Sequence, residues 1–304
     1  MENVLSPIDN KSETKVIDSI KSLFIIERYN TLNMDVNRFF KGNETITIRE
    51  CEKTGYRFYH PFHIMGDDTF YQDLQAKSDD YYPQKKWEHI EALKFIKKDQ
   101  SVLEVGCATG YFLNQCTKKG ATATGLELNQ KAANEAISKG LDVQLSMLGE
   151  HIKDNKNKYD IICSFQVLEH ITDVESYFSD ALKCLKPGGK IILGVPNNNP
   201  YIFKHDKFHI LNLPPHHAGL WNRKSFEKTA EIFNLDINSI KVSPLFEYKD
   251  WYKAQIDFNR TANPFLGFLL TLIPRPLYKI ILKAFSKFID GKTLFVVFEK
   301  SPVF

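Results

Sequence analysis

The 304-residue sequence has no marked excess of charge of one sign and few cysteines, and the apolar run within 263–290 is too short to span a bilayer. Forty basic against thirty-seven acidic residues leave a formal net charge of +3, which argues against a nucleic-acid-binding surface. The five cysteines are odd in number, so reduced thiols are expected rather than a disulfide framework. The first fifteen residues lack the basic and apolar regions of a secretion signal, which predicts a cytoplasmic protein.

A glycine-containing loop follows the strand-like start of "SVLEVGCATGYF", residues 101–112. It fails the dinucleotide fingerprint G-x-G-x-x-G, because Ala108 and Tyr111 stand where the second and third glycines are needed. Glu104 lies inside the strand, two residues before Gly106. A carboxylate there would repel a pyrophosphate and attract a cation, so the loop predicts a cationic ligand.

Strand-like and helical patterns alternate from residue 101 onward, which is typical of an α/β fold with a parallel sheet and crossover helices. The strand-like segments are 101–105, 121–127, 141–145, 159–165, 189–195, 236–242 and 294–300, and the helical ones are 111–119, 130–139, 174–184 and 223–233. Thr172 and Glu175 predict a capping box at the start of the helix over 174–184.

A smaller unit is predicted ahead of this domain, over residues 1–85. Its apolar residues at helical spacing predict a helix over 13–29, and a Lys53-Thr54-Gly55 turn predicts a hairpin of two short strands. The main domain then covers 86–304, with an insertion over 244–292 before the last strand. We expect the N-terminal unit and the insertion to close over a ligand site.

Glu127 ends the second strand of the main domain, where a carboxylate can accept hydrogen bonds from both hydroxyls of a ribose. Together with "YDIICSFQVLEHITD" (159–173) and "LKPGGKIILGVPN" (185–197), the loop E-V-G-C-A-T-G resembles class I S-adenosylmethionine-dependent methyltransferases. The family usually has glycine where Ala108 stands, which is a departure by one methyl group.

The resemblance implies a Rossmann-like, doubly wound, mostly parallel seven-stranded sheet with S-adenosyl-L-methionine as the cofactor. It also implies methyl transfer to a small-molecule acceptor, by O-methylation of a sugar or another metabolite. The residues expected at the cofactor are Glu104, Gly106, Cys107, Ala108, Gly110, Tyr111, Glu127, Leu128, Ser146, Met147, Phe165 and Gln166.

Three histidines are candidates for the base that takes a proton from an acceptor hydroxyl. His217 and His216 lie in "LNLPPHHAGLW" (211–221), after the fifth strand, and His170 follows the fourth strand. In some family members an E-x-x-E-H pattern at the position of His170 holds a divalent metal. Gln166 replaces its first acid here and is a poorer ligand for a hard cation, so no metal is expected.

Two other classes of function stay open at this point. One is a catalytically silent S-adenosylmethionine-binding scaffold. The other is a membrane-associated methyltransferase with a lipid-linked acceptor, since 263–290 pairs a lysine face with an apolar face. In the simpler alternative, that segment packs on the sheet edge as part of a lid. A macromolecular acceptor would need a basic groove, which the net charge of +3 does not indicate. Methylation of the amino groups of bases is disfavoured because Ser164-Phe165-Gln166 replaces the Asp/Asn-Pro-Pro-aromatic stretch of those enzymes.

Overall fold

The computed structural model describes residues 3–76, 85–198, 208–246 and 248–301. In chain order the strands are β1 (Thr14–Lys21), β2 (Thr45–Cys51), β3 (Arg57–His60), β4 (Ser101–Val105), β5 (Thr122–Leu126), β6 (Asp142–Gln144), β7 (Tyr159–Phe165), β8 (Leu185–Pro196), β9 (Gly219–Leu220), β10 (Leu235–Pro244) and β11 (Asp290–Lys300). The helices are α1 (Ser22–Asn30), α2 (Asp68–Ala76), α3 (Trp87–Ala92), α4 (Tyr111–Lys118), α5 (Gln130–Ser138), α6 (Leu148–His151), α7 (Val174–Cys184), α8 (Arg223–Phe233), α9 (Tyr248–Ala262), α10 (Pro264–Leu272) and α11 (Arg275–Phe285).

Seven strands form the central sheet, in the order β10-β11-β8-β7-β4-β5-β6. The pairs among β4, β5, β6, β7 and β8 are parallel, whereas β11 runs antiparallel to both β8 and β10. The predicted Rossmann-like, mostly parallel seven-stranded sheet is therefore confirmed. The carboxyl ends of the parallel strands share one edge, and in folds of this kind that edge carries the ligand site.

Both faces of the sheet are buried, because successive side chains of a strand point to opposite sides. Val102 and Ile161 belong to a cluster with residues of α3 and α4. Leu103 and Ile162, one position further along the same strands, pack with residues of α7 and α8. This burial on two sides accounts for the nearly continuous apolar runs of these strands.

The predicted helix over 13–29 is wrong in its first half. Residues 14–21 form β1, which pairs antiparallel with β2, and α1 begins only at Ser22. Val16 and Ile17, assigned by their spacing to a buried helical stripe, are 50% and 41% exposed. The β-branched residues of this segment favour a strand. In so short a segment the helical and strand periodicities are hard to distinguish, and pairing with β2 selects the strand.

The predicted capping box of α7 is also wrong by one residue. The side chain of Asp173, rather than Thr172, accepts a hydrogen bond from the backbone N–H of Ser176 at 3.1 Å. Asp and Thr are both good N-cap residues, so the sequence alone does not choose between neighbouring positions.

The N-terminal unit has its own four-stranded sheet, in the order β1-β2-β3-β9. The two strands predicted around the Lys53-Thr54-Gly55 turn are present as β2 and β3. Strand β9 comes from the histidine-containing segment of the main domain, and Tyr59 N–H donates to Ala218 O at 2.9 Å beside it. The N-terminal sheet therefore holds the histidine segment in place. The predicted boundary at residue 85 adjoins 77–84, which lie outside the described residues.

The insertion between β10 and β11 consists of α9, α10 and α11. It starts and ends at the ligand edge of the sheet, because Pro244 pairs with Asp290 and Thr293 pairs with Pro196 at the end of β8. Within the described residues, no helix taken alone is both long and apolar enough to cross a membrane. Residues Pro264–Leu272 and Arg275–Phe288 meet that criterion only as a pair, which is bent by 104°.

Candidate active site

The loop after β4 turns back toward the sheet through three residues in the left-handed backbone region. The φ angles are +72° at Gly106, +47° at Ala108 and +79° at Gly110. A Cβ atom at Gly106 would collide with Val167, and one at Gly110 would collide with Leu141. Both glycines are therefore required by space as well as by conformation. Ala108 is a non-glycine residue in the left-handed region, which costs about 1 to 2 kcal/mol of backbone strain. The sequence alone did not reveal this strain.

Glu127 lies directly beside this loop. One of its carboxylate oxygens accepts from the backbone N–H of Ala108 at 2.8 Å, and the other accepts from Asn129 N–H at 2.8 Å. Because each carboxylate oxygen can accept more than one hydrogen bond, acceptor capacity remains for a ligand hydroxyl. The structure thus brings together the glycine loop and the acid that the sequence analysis placed at a ribose.

Glu104 is buried in the sheet below the loop, with only 3% of its surface exposed. Its Oε2 has no hydrogen-bond partner among the described residues. Burial raises the pKa of this carboxyl well above its usual range, while the charge of Lys86 opposes the shift. A buried carboxyl with an unpaired oxygen is a group that a cationic ligand would satisfy.

Helix α3 closes one side of this pocket, and the sequence analysis did not find its role. The ring of His89 lies 5.7 Å from that of Tyr111 and 4.9 Å from that of Phe165, by ring centroids. Gln166, in the left-handed region after β7, donates from Nε2 to Glu88 Oε1 at 3.1 Å. Three predicted cofactor residues, Tyr111, Phe165 and Gln166, therefore contact one helix. Their contacts are formed by distant segments, so no local pattern reveals them.

Two predicted residues at the outer end of the pocket present apolar surface to solvent. Leu128 and Met147 are each 58% exposed, and Ser146 Oγ donates to Met147 O at 3.1 Å. Exposed apolar side chains next to Glu127 suit the faces of an adenine ring. Cys107 differs, because its buried thiol points into the sheet toward Gly125 and leaves only its backbone for a ligand.

The three candidate histidines lie together, although they come from two separate segments. The ring centroids of His216 and His217 are 4.4 Å apart, and His170 lies 4.9 and 5.0 Å from them. Their ligand-forming atoms all lie within 4.8 Å of one another, so the cluster could also hold a metal ion. The expectation of no metal, based on Gln166, stays a prediction.

His217 is oriented by a chain of side-chain amides that the sequence analysis missed. Its Nδ1 lies 3.1 Å from Asn212 Oδ1. The amide nitrogen of Asn212 donates to Asn198 Oδ1 at 2.8 Å, and that of Asn198 donates to Pro196 O at 3.3 Å. Because Asn212 Oδ1 can only accept, Nδ1 of His217 carries the proton and its Nε2 keeps a lone pair. The imidazole is thus held in the form that can take up a proton.

His170 is held from both units of the protein. Its Nδ1 donates to the backbone oxygen of His216 at 2.6 Å. Tyr71 of α2, in the N-terminal unit, donates from its hydroxyl to the same oxygen at 3.1 Å and lies 3.2 Å from the same Nδ1. The N-terminal unit therefore supplies a residue to the histidine cluster, as a contact that sequence spacing cannot show.

Burial determines the protonation state of two of these histidines. It lowers the pKa of His170 to about 4 and that of His217 well below its usual range, so both imidazoles are neutral near pH 7. Burial also raises the pKa of Glu169 to about 8, and Glu169 Oε1 lies 3.9 Å from His170 Nε2. The positive charge of Lys86 lowers the pKa of Glu104, Glu169 and His170. Lys86 therefore acts electrostatically on both the glycine-loop pocket and the histidine cluster.

The sheet, the glycine loop and the carboxyls of Glu104 and Glu127 define a protein of the class I S-adenosylmethionine-binding type. The methyltransferase-domain family model matches residues 80–240, more than half of the chain. The chain therefore belongs to this family of S-adenosylmethionine-dependent methyltransferases. S-adenosylmethionine fits the pocket, since the unpaired oxygen of buried Glu104 suits its cationic methionine end and Glu127 suits its ribose.

Two curated relatives are named ubiquinone biosynthesis O-methyltransferase. The protein from Hydrogenovibrio crunogenus is 30% identical over 118 residues, which cover 35% of this chain and 49% of that protein. The protein from Escherichia coli is 30% identical over 152 residues, which cover 47% of this chain and 62% of that protein. The matched region thus spans about half to three-fifths of these relatives.

A crystal structure of an S-adenosylmethionine-dependent methyltransferase from Archaeoglobus fulgidus resembles this structure with a TM-score of 0.52. The two are 17% identical, and the match covers 77% of this chain and all of the other. At 17% identity, this similarity shows that the two proteins share a fold and nothing more.

Proposed function

We propose that this protein transfers a methyl group from S-adenosylmethionine to a hydroxyl oxygen of a small molecule, with His217 as the general base. The observation that carries the proposal is the fixed tautomer of His217, whose Nε2 lone pair is kept available by the Asn212 hydrogen bond. The names of the curated relatives support oxygen as the methylated atom. They give no support to a sugar acceptor, so the acceptor class is stated here as a small-molecule hydroxyl.

The bound cofactor supplies an electrophilic methyl group on a sulfonium. Glu104 would hold its cationic methionine end and Glu127 its ribose, while the glycine loop allows the backbone to approach closely. An acceptor hydroxyl that receives this methyl group would have to lose its proton, and His217 Nε2 would take it up. Asn212 would keep the ring oriented, and burial keeps the imidazole neutral, which is the form that can take up a proton.

The proposal is tested with methyl-labelled S-adenosylmethionine and a metabolite extract of the source cell. We expect the label to appear in a small organic product as a methyl ether, identified by mass spectrometry and absent when protein is omitted. Label found on protein, on nucleic acid or on a nitrogen atom would contradict O-methylation. Tight cofactor binding without labelled product in any fraction would favour the scaffold alternative.

The histidine cluster also suits a divalent metal, which makes metal dependence a second test. If His217 acts as a base, activity should survive EDTA within about twofold, because imidazole needs no ion to take up a proton. The measurement is turnover before and after chelation, combined with elemental analysis of the purified protein. Stoichiometric metal, with activity lost to EDTA and restored by one divalent ion, would establish metal ligation by His170, His216 and His217 instead.

A further inference from the structure

The helical insertion exposes an unusual amount of apolar surface. Helix α10 and the segment 275–288 present ten large apolar side chains that are each at least 41% exposed, and Phe288 reaches 85%. They are Phe265, Leu266, Phe268, Leu269, Leu272, Leu277, Ile280, Ile281 and Phe285, with Phe288 in addition. Clusters of this kind on a single surface mark a binding face, whereas scattered exposed residues do not.

The insertion is nevertheless anchored to the rest of the protein. Tyr278 and Leu282, four residues apart on α11, are buried together with Leu245. Gly267 of α10 packs so closely on α9 that a Cβ atom there would lie 3.0 Å from the backbone carbon of Asn259. One face of the insertion therefore forms a small core. The opposite face is exposed because of the pattern of residues along the helices and not because the packing is loose.

The charge of this surface has one sign. Residues 264–288 contain Arg275, Lys279, Lys283 and Lys287 and no acidic residue. All four cations are exposed, and none forms an ion pair with any described residue. The three lysines recur every four residues on α11 and its extension, beside the exposed apolar stripe. Uncompensated cations next to apolar side chains match the anionic headgroups and acyl chains of a membrane surface.

We propose that the outer face of residues 264–288 docks on an anionic lipid surface. The 104° bend between Pro264–Leu272 and Arg275–Phe288 lets both helices lie in the headgroup region. Their aromatic and aliphatic side chains would insert among the lipids, and the lysines would lie at the phosphates. This inference does not depend on methyl transfer, because it concerns a surface outside the cofactor pocket.

The base of the insertion is connected to the segment that orients His217. Asn197 N–H donates to Lys292 O at 2.7 Å, and its side-chain nitrogen donates to Gly291 O at 3.1 Å, at the base of the insertion. Asn197 is followed directly by Asn198 of the amide chain that orients His217. Docking of the insertion would therefore bring a lipid surface to an element that is joined to this sheet edge.

Cosedimentation with lipid vesicles tests the proposal on the full chain. We expect strong binding to vesicles of phosphatidylcholine containing roughly one-third phosphatidylserine, and weak binding to phosphatidylcholine alone. Replacing the three lysines together (K279Q, K283Q and K287Q) should weaken binding by about fivefold for each lysine, or roughly 100-fold in total. Replacing Phe265, Phe268 and Phe288 by serine should abolish binding to both kinds of vesicle.

A matched triple variant of exposed lysines elsewhere, K118Q with K153Q and K156Q, should bind like the wild type. All variants should keep the wild-type melting temperature, since the replaced side chains are exposed. Wild-type protein that stays in the supernatant, or equal loss in the control variant, would overturn the proposal. So would a dimer in the absence of lipid that the phenylalanine variant dissociates, because the face would then bind a second copy of this chain.

Discussion

Replacing His217 by alanine should lower kcat by about 10²- to 10⁴-fold, the usual contribution of a positioned general base. The affinity for S-adenosylmethionine should change by less than about twofold, because His217 belongs to the acceptor side and not to the glycine-loop pocket. The measurement is steady-state turnover with an identified acceptor, together with calorimetric titration of the cofactor. His63→Ala is the matched control, since His63 is exposed on the N-terminal unit and its Nε2 lies 2.9 Å from Asn43 Nδ2.

The pH dependence of kcat identifies the base independently. A histidine with its usual pKa would give an ascending limb near pH 6.5. Burial lowers the pKa of His217 well below that value and that of His170 to about 4. A base loses activity when it becomes protonated, so activity should persist below pH 6.5 and fall only at more acidic pH. The ascending limb of the pH profile should therefore lie at lower pH than it would for a histidine with its usual pKa.

Asn212→Asp tests the orientation of His217 without removing the imidazole. A carboxylate in place of the amide oxygen would favour the imidazolium, so the ascending limb should move to higher pH while cofactor affinity is unchanged. A merely structural role for Asn212 predicts altered stability but no shift of the limb. If alanine at His170, His216 and His217 in turn leaves turnover and the pH profile unchanged, histidine base catalysis is wrong. Glu169, whose pKa burial raises to about 8, would then be the next candidate for the base.

Replacing Glu127 by alanine should weaken S-adenosylmethionine binding by roughly tenfold or more. The substitution removes the acceptor that we propose for the ribose hydroxyls, and loss of charge-assisted hydrogen bonds is worth at least this much. It also removes the two backbone contacts at 2.8 Å through which Glu127 holds Ala108 and Asn129. Calorimetric titration with the cofactor measures the effect.

Glu127→Gln separates the two contributions, because glutamine keeps the shape but turns one acceptor into a donor. Its affinity should lie between those of the wild type and the alanine variant. Glu231→Ala is the control, since Glu231 is an exposed acid that pairs with Lys228 on α8. Unchanged affinity in the alanine variant, or tight NAD binding by the wild type, would contradict the assignment of this pocket.

The alternation of strands and helices from residue 101 onward predicted a parallel sheet with crossover helices, because buried strands appear as apolar runs between amphipathic helices. The seven-stranded Rossmann-like form of that sheet was implied by the family resemblance. The bounds of α7 and α8 agree with the patterns at 174–184 and 223–233. Glu104, Gly106 and Gly110 were identifiable because a buried acid and two glycines next to a strand are local features. The strand over 14–21 was not predicted, because its partner β2 lies over twenty residues further along the chain and only that pairing selects a strand.

The sequence by itself determined the class of ligand and the histidines able to take up a proton. Only the tertiary structure decided how they are used. Asn212 and Asn198 orient His217, and Tyr71 reaches His170 from the N-terminal unit. These contacts join segments far apart in the chain and depend on side-chain direction at the sheet edge, which no periodicity encodes. Burial, a property of the folded molecule alone, keeps His170 and His217 neutral and raises the pKa of Glu169.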